Sequence, residues 1–135
     1  MSGILAPQAD LDSAPFWAAL REHRLTVQRC DHCGRYRFPA RPICPRCRSW
    51  GFSWSEVSGR GTVLSWVVSY HVTHPAFADQ LPYPVLYVEL AEQPGLTMYG
   101  NLRPADAPIT SGMPVRALFE DHLTDAVTLV QWAPA

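Results

Sequence analysis

The fold of this chain is decided by two short segments, Cys30-Asp31-His32-Cys33-Gly34 and Cys44-Pro45-Arg46-Cys47. They hold all four cysteines, in the pattern C-x2-C, ten residues, C-x2-C. Two cysteines three residues apart on a tight turn supply half of a tetrahedral thiolate shell, so two such turns complete it. Gly34 follows the first turn, where a positive φ is often needed, and the bulkier Arg48 takes the matching place after the second. We therefore expect a zinc ribbon with Cys30, Cys33, Cys44 and Cys47 as ligands.

Other readings of the four cysteines are two disulfides, free thiols in a core, or an iron site of the rubredoxin type. Iron is the less favoured metal, because the two cysteine turns of an electron carrier usually lie much farther apart in sequence. Residues 1–11 lack the basic and apolar regions of a signal peptide, so we expect a cytoplasmic protein with reduced thiols. Four sulfur ligands leave no open position, which indicates a structural metal.

The composition is that of a globular protein, with 47% hydrophobic and 17% charged residues among 135. Thirteen prolines favour short strands and stiff loops over long helices. No apolar run reaches the 18 or so residues of a membrane span, so we expect a soluble protein.

Charge is distributed unevenly along the chain. Six of the eleven basic residues, all arginines, lie between Arg29 and Arg48 with a single acid, Asp31. From Gly61 onward there are two arginines and seven acids. The first segment is either a solvated face or a surface that meets an anionic group.

Hydrophobic spacing predicts a mainly β chain in three parts. A short helix lies in residues 1–24, and its Phe16 and Trp17 should pack on the chain's own body, with a partner protein as the alternative. The zinc ribbon covers 25–57. Trp50, Phe52 and Trp54 alternate on one strand face that should tie the ribbon to the next domain, and a row that stacks on nucleic-acid bases is the alternative. Glycines at 59 and 61 mark a boundary before a domain at 58–135, which we expect to have a separate core.

The last domain reads as five strands without a helix between them. They are predicted over 62–72, 85–90, 96–102, 114–120 and 127–132. A small barrel of the OB type fits this pattern, as would an SH3-like barrel or a half-open sandwich. Residues 73–84 form a long connection that carries the apolar side chains Phe77, Leu81 and Tyr83, more than a solvated linker needs.

These motifs, taken in order, resemble an acyl-CoA-associated family in which a rubredoxin-like zinc ribbon precedes an OB-fold. The resemblance rests on Phe16-Trp17, Leu25-x-x-Gln28-x-Cys30-x-x-Cys33-Gly34, Pro39-x-Arg41-x-x-Cys44-Pro45-x-Cys47, Ser58-Gly59-x-Gly61-x-Val63 and Gly112-Met113-Pro114-Val115. It implies a non-catalytic partner of thiolase-like enzymes, hot-dog hydratases or aldolases in lipid, steroid or polyketide metabolism. The partner enzyme would be a separate chain, and the coenzyme A arm of its thioester substrate is a further expected contact.

Catalysis by the chain alone and nucleic-acid binding are the two alternative functional classes. The chain has no Gly-x-Ser-x-Gly, phosphate-binding glycine loop or His-Glu-x-x-His motif, and the loop histidines His71 and His74 are expected at the surface. Nucleic-acid binding is the main alternative, since zinc ribbons and OB barrels both serve it, but the acidic barrel half disfavours it. Contact with the partner or with coenzyme A is predicted for a set of arginines and apolar side chains. They are Arg35, Arg37, Phe77, Leu81 and Tyr83.

Overall fold

The computed structural model of the chain describes residues 6–71, 74–123 and 126–135. Helix α1 spans Ala14–Arg21 and buries Phe16, Ala19 and Leu20. The Phe16 ring lies 5.1 Å from the ring of Phe38 and 5.2 Å from that of Trp17. The helix therefore packs on the chain's own body, as expected, because so short a helix needs tertiary contacts to persist.

A three-stranded antiparallel sheet follows the helix, with strand order β2-β1-β3. Its strands are β1 (Thr26–Cys30), β2 (Tyr36–Arg37) and β3 (Phe52–Glu56). Strand β1 is central and ends at the first cysteine, while β3 begins five residues after the last one. The sheet therefore holds both ends of the cysteine-bearing segment.

A five-stranded antiparallel sheet forms the second part, with strand order β6-β5-β4-β7-β8. Its strands are β4 (Arg60–Ser69), β5 (Tyr83–Leu90), β6 (Thr97–Asn101), β7 (Pro114–His122) and β8 (Val127–Pro134). One parallel bridge, Leu102 to Trp132, joins the two ends of the sheet. The Arg103 N–H also donates to the Trp132 carbonyl over 2.8 Å. The result is a partly open barrel of the OB type.

Two glycines allow the chain to enter this barrel. Gly59 has a φ of +79°, and a Cβ there would lie 3.1 Å from the Cβ of Ala117. A Cβ on Gly61 would lie 2.6 Å from the Glu89 carbonyl oxygen. The Ser-Gly-x-Gly segment thus marks a place where β4 passes too close to its neighbours for a side chain.

One hydrophobic cluster joins the helix, the ribbon and the barrel. It contains Phe16 and Leu20 from α1, Leu25 and Val27 from the ribbon, and barrel residues such as Val63. The expectation of separate cores for ribbon and barrel is wrong, because β1 turns its apolar side chains toward the barrel. The boundaries at 24/25 and 57/58 stay predictions.

The predicted fold class is confirmed as a mainly β chain with a short helix, a ribbon and an OB-type domain. Within the described ranges, no helix is long and apolar enough to cross a bilayer.

Candidate metal centre and exposed apolar surface

The two cysteine turns have the same hydrogen-bond pattern. The N–H groups of Gly34 and Arg48 donate to the carbonyls of Cys30 and Cys44 over 3.0 and 2.9 Å. The N–H groups of Cys30 and Cys44 donate in turn to the carbonyls five residues later, both over 2.9 Å. Each pair of bonds closes a tight knuckle, so the two sulfurs of a knuckle point to one side.

The four sulfurs converge on one point. All four Sγ atoms lie within 4.8 Å of one another. The Sγ atoms of Cys30 and Cys47 are 3.5 Å apart, and those of Cys33 and Cys44 are 3.7 Å apart. Tetrahedral zinc with Zn–S bonds of about 2.3 Å separates its sulfurs by about 3.8 Å, whereas a disulfide needs about 2 Å. The four cysteines are therefore placed to bind a metal ion and not to form disulfides.

Hydrogen bonds prepare part of this shell for ionisation. The Ser49 hydroxyl and then its backbone N–H stabilise the Cys47 thiolate, which lowers the pKa of that thiol to about 6. Backbone N–H groups of Cys47 and Arg46 likewise lower the pKa of Cys44. At Cys33 the backbone N–H of Arg35 lowers the pKa, but burial and the neighbouring thiols together raise it to about 11. A cation bound by these four cysteines would supply the charge that ionises all four thiols.

The buried side chain of Gln28 links β1, which leads into the first knuckle, to the segment that leads into the second. The side-chain oxygen of Gln28, itself 1% exposed, accepts from Arg37 Nε over 2.9 Å and from the Arg41 N–H over 2.8 Å. Arg37 Nη2 also donates to the Arg41 carbonyl over 2.8 Å, and its guanidinium lies 4.9 Å from the ring centre of Phe52. These bonds fix the segment that leads to the second knuckle.

This network changes the interpretation of Arg37. The side chain was expected to contact a partner or coenzyme A, yet the residue is only 5% exposed. The guanidinium of Arg37 donates to the Gln28 side chain and the Arg41 carbonyl and lies over the Phe52 ring. Arg37 therefore stabilises the ribbon. Arg35 is half-buried, and its carbonyl accepts the Cys30 N–H.

The aromatic row of the ribbon is only partly as predicted. Trp54 is half-buried against the common core, and its ring lies 6.2 Å from that of Phe52. Trp50 is 68% exposed and lies before β3 begins, so its expected role in joining ribbon and barrel is wrong.

Strand β4 presents an apolar surface that the sequence patterns did not single out. After Val63, which is fully buried, the side chains from Leu64 to Val68 are all exposed. Large apolar side chains dominate this stretch and its neighbourhood. We call the group Leu64, Trp66, Val67, Val68, Tyr70 and Tyr99 the β4 surface. Val67 is 64% exposed, Tyr70 75% and Tyr99 67%.

Pairing explains why β4 is exposed there. Its ladder with β7 covers only Arg60 to Thr62, whereas its ladder with β5 runs on to Ser69. Within the described residues, positions 64–69 are thus paired with a strand on one side only. No charged residue lies between Gly61 and Tyr70 to discourage another chain from approaching this edge. Such a surface is typical of a protein that binds a partner.

The predicted apolar loop lies next to the β4 surface. It contains a short 3-10 helix, Pro75–Gln80, whose first N–H groups are capped by His74 through a 3.0 Å bond from the Ala76 N–H. Phe77, Leu81 and Tyr83 are half-buried, and Tyr83 pairs with Ser69 at the end of β4. His71 and His74 are exposed. Thr73, at the start of the predicted loop, lies outside the described residues.

A half-buried charged cluster occupies the end of β7. Glu120 accepts from Arg103 Nε and lies against His122 Nε2, both over 2.9 Å. Asp121, on the other strand face, lies 2.9 Å from His23 Nε2 and accepts from the Thr128 hydroxyl. Asp121 and His122 are the last two residues of β7, and Asp125 lies outside the described part of the chain.

Family comparisons match both parts of the chain. The model described as the rubredoxin-like zinc ribbon domain of ChsH2 matches residues 17–52, and that of the ChsH2 C-terminal OB-fold domain matches residues 54–120. A solved structure described as an Ltp2-ChsH2(DUF35) aldolase superposes with a TM-score of 0.82 at 37% identity, covering 96% of this chain and 98% of that one. A DUF35 protein from Sulfolobus solfataricus, at 14% identity and a TM-score of 0.63, shares the fold.

Three curated proteins are similar in sequence. A probable enoyl-CoA hydratase alpha subunit of Thermomonospora curvata is 40% identical over 81% of this chain. The 3-oxo-4,17-pregnadiene-20-carboxyl-CoA hydratase alpha subunit of Mycobacterium tuberculosis is 37% identical over 97%. The chain spans only 33% and 40% of the lengths of these two proteins. A DUF35 domain-containing scaffold protein of Methanocaldococcus jannaschii is 36% identical over 76% of this chain and 73% of its own length.

Proposed function

The chain belongs to the ChsH2 family of zinc-ribbon and OB-fold proteins, and from this premise we propose that it is a non-catalytic subunit of an acyl-CoA enzyme. The partner would be a hydratase, a thiolase-like enzyme or an aldolase of lipid, steroid or polyketide metabolism. Two of its relatives carry the name of a hydratase subunit and one that of a scaffold protein. A cytoplasmic location, where thiols stay reduced, goes with this proposal.

The single observation that carries the proposal is the β4 surface. From Leu64 to Ser69, β4 carries no charge, exposes large apolar side chains and is paired with a strand on one side only, which exposes a monomer to aggregation. A partner that covers the surface removes this hazard and gains the buried aromatic contacts on which protein interfaces depend. Tyr83 pairs with Ser69 at the end of β4, and we propose that it extends this contact surface together with Phe77 and Leu81 of the preceding loop.

The metal in this proposal is one structural zinc ion bound by Cys30, Cys33, Cys44 and Cys47. Zinc fits because four thiolates at tetrahedral spacing satisfy it completely, and a reducing compartment keeps them available. Iron is the less favoured occupant of the same shell. The ion would fix the two knuckles and leave no coordination position for a substrate.

The proposal includes a contact with coenzyme A. Arg35 retains some exposed surface near the ribbon, whereas Arg37 is engaged inside it. Of the two arginines, Arg35 is therefore the one we propose as a phosphate or partner contact.

The test is recovery of the tagged protein from the organism that encodes it, with the bound protein identified by mass. A hydratase, thiolase-like enzyme or aldolase in fixed ratio is the expected result. Binding of single-stranded DNA or RNA by the purified chain, with affinity that falls steeply as salt rises, would favour the nucleic-acid alternative instead. Exposed Trp66, Tyr70 and Tyr99 could stack on bases, but the acidic barrel opposes a phosphate backbone.

A further inference from the structure

Two arginines face each other across the ladder that joins β4 to β7. Arg60 and Arg116 are direct cross-strand partners, and both are exposed. Neither forms an ion pair with a described acidic group. Like charges directly opposite each other on a sheet are destabilising, so this pair costs stability unless an anion lies between the two side chains.

The pair also stands out against the charge of the barrel. From Gly61 onward the sequence has seven acids and two arginines, and one of these, Arg103, is bonded to Glu120. Arg116 is the other. Arg116 therefore has no described acidic partner in this acidic domain, and the residue opposite it is another arginine, Arg60.

A cavity of about 460 Å³ lies beside the two arginines, at the junction of ribbon and barrel. Leu25, Val57, Ala117 and Phe119 give it apolar walls. Two of the lining residues are joined to each other, because the Ala117 N–H donates to the Gly59 carbonyl over 2.7 Å. The acid in the lining, Glu56, has Oε1 3.8 Å from Nη1 of Arg24 and is paired with that residue. Ala135 also lines the cavity without pairing to either guanidinium among the described contacts.

We propose that this cavity binds a phosphorylated small molecule, with Arg60 and Arg116 on its phosphate group and the apolar walls on its organic part. A guanidinium donates two parallel hydrogen bonds to an oxyanion. One such fork already satisfies both oxygens of a carboxylate, whereas a phosphate monoester has three terminal oxygens and can accept from two forks at once. Two arginines at the cavity therefore favour a phosphate monoester over a carboxylate as the ligand.

The test is calorimetric titration of the full zinc-loaded chain, without any acyl-CoA enzyme, so its failure leaves the proposed function untouched. The probes are phenyl phosphate, inorganic phosphate and benzoate. We expect phenyl phosphate to bind with a Kd on the order of 1 mM. Inorganic phosphate should bind more weakly because it lacks the apolar part, and benzoate more weakly because it has too few oxygens.

The variants Arg60→Gln and Arg116→Gln should each weaken phenyl phosphate binding about tenfold or more, as expected for lost charge-assisted hydrogen bonds. Arg21→Gln, at an exposed arginine of α1 that does not line the cavity, is the matched control and should bind as the unaltered chain does. Without ligand, neither test variant should melt at a lower temperature, because each removes a like-charge contact. Binding that is unchanged in both variants, no binding of phenyl phosphate, or benzoate binding as tightly would overturn the proposal.

Discussion

Arg48 adopts the left-handed backbone conformation at the second knuckle, φ 64°, that Gly34 adopts at the first, φ 75°. Both N–H groups donate to the carbonyl of the first cysteine of their knuckle. The sulfur geometry of the second knuckle is thus preserved with a side chain that disfavours the conformation. A non-glycine residue in this region costs roughly 1–2 kcal/mol.

Replacing Arg48 by glycine should therefore stabilise the zinc-loaded chain by about 1 kcal/mol or somewhat less, since glycine loses more entropy on folding. The free energy of unfolding from denaturant titration measures this. Gly34→Ala is the matched change in the opposite direction and should destabilise by a similar amount. If Arg48→Gly and Gly34→Ala changed the free energy of unfolding in the same direction, this account of the knuckles would be contradicted.

Loss of the metal should lower the stability of the barrel as well as that of the ribbon. Elemental analysis should find about one zinc per chain, as four thiolates form one site. Cys44→Ser should remove most of the metal and also lower the melting temperature of the barrel, because Leu25 and Val27 share a core with it. A barrel melting transition that is unchanged in this variant would show that the common core does not couple the two parts.

Glu120 should contribute to stability in a pH-dependent way. Burial raises the pKa of its carboxyl, but hydrogen bonds from Arg103 and His122 outweigh this and hold the pKa below the ordinary value of 4.5. A depressed pKa stabilises the fold above the ordinary value, and this contribution is lost as pH falls through the folded value. Glu120→Gln should therefore cost about 1 kcal/mol at neutral pH.

The cost of Glu120→Gln should shrink as pH falls below 4.5 and approach zero only below the depressed pKa of the folded Glu120 carboxyl, where both proteins carry a neutral side chain. Denaturant titrations across this range provide the measurement. Asp106→Asn, at an exposed site, is the control and should show little cost at any pH. A cost for Glu120→Gln that persists unchanged in acid would mean that packing, and not charge, is responsible.

The metal shell and the strands were predictable because their signals are local. Cysteine spacing fixes two knuckles whatever surrounds them. Five apolar stretches form five strands, and all but the last two are separated by segments that contain proline. The metal site needs no long-range information.

The inward face of β4 was not predictable, because alternation defines two faces without saying which one is covered. A bulge between Val63 and Ser65 shifts the register, and β7 leaves β4 after Thr62, so apolar side chains beyond that point stay exposed. The burial of Arg37 depended on Gln28, which is distant in sequence and supplies the acceptor. An uncharged stretch from Gly61 to Tyr70 was the available signal for the β4 surface.

Introducing charge on the β4 surface should break partner binding without unfolding the chain. Val67→Glu puts a carboxylate on a side chain that is 64% exposed, so folding costs little, but burying that charge at an interface costs several kcal/mol. Affinity for the acyl-CoA enzyme recovered with the chain should fall by about two orders of magnitude or more. Surface plasmon resonance measures it.

Leu11→Glu is the matched control, since Leu11 is 94% exposed and lies before the helix. It should bind the partner as the unaltered chain does. Equal binding by Val67→Glu would place the interface elsewhere.

Acyl-CoA turnover by the separated and recombined proteins tests the central claim most directly. The zinc-loaded chain alone, the partner enzyme alone, and a mixture of the two are assayed with the partner's own thioester substrate. A non-catalytic subunit predicts no turnover by the chain alone, and turnover or thermal stability of the partner that rises with added chain until a fixed ratio is reached. Turnover by the chain alone, or a partner whose activity and stability are indifferent to the chain, would contradict the account.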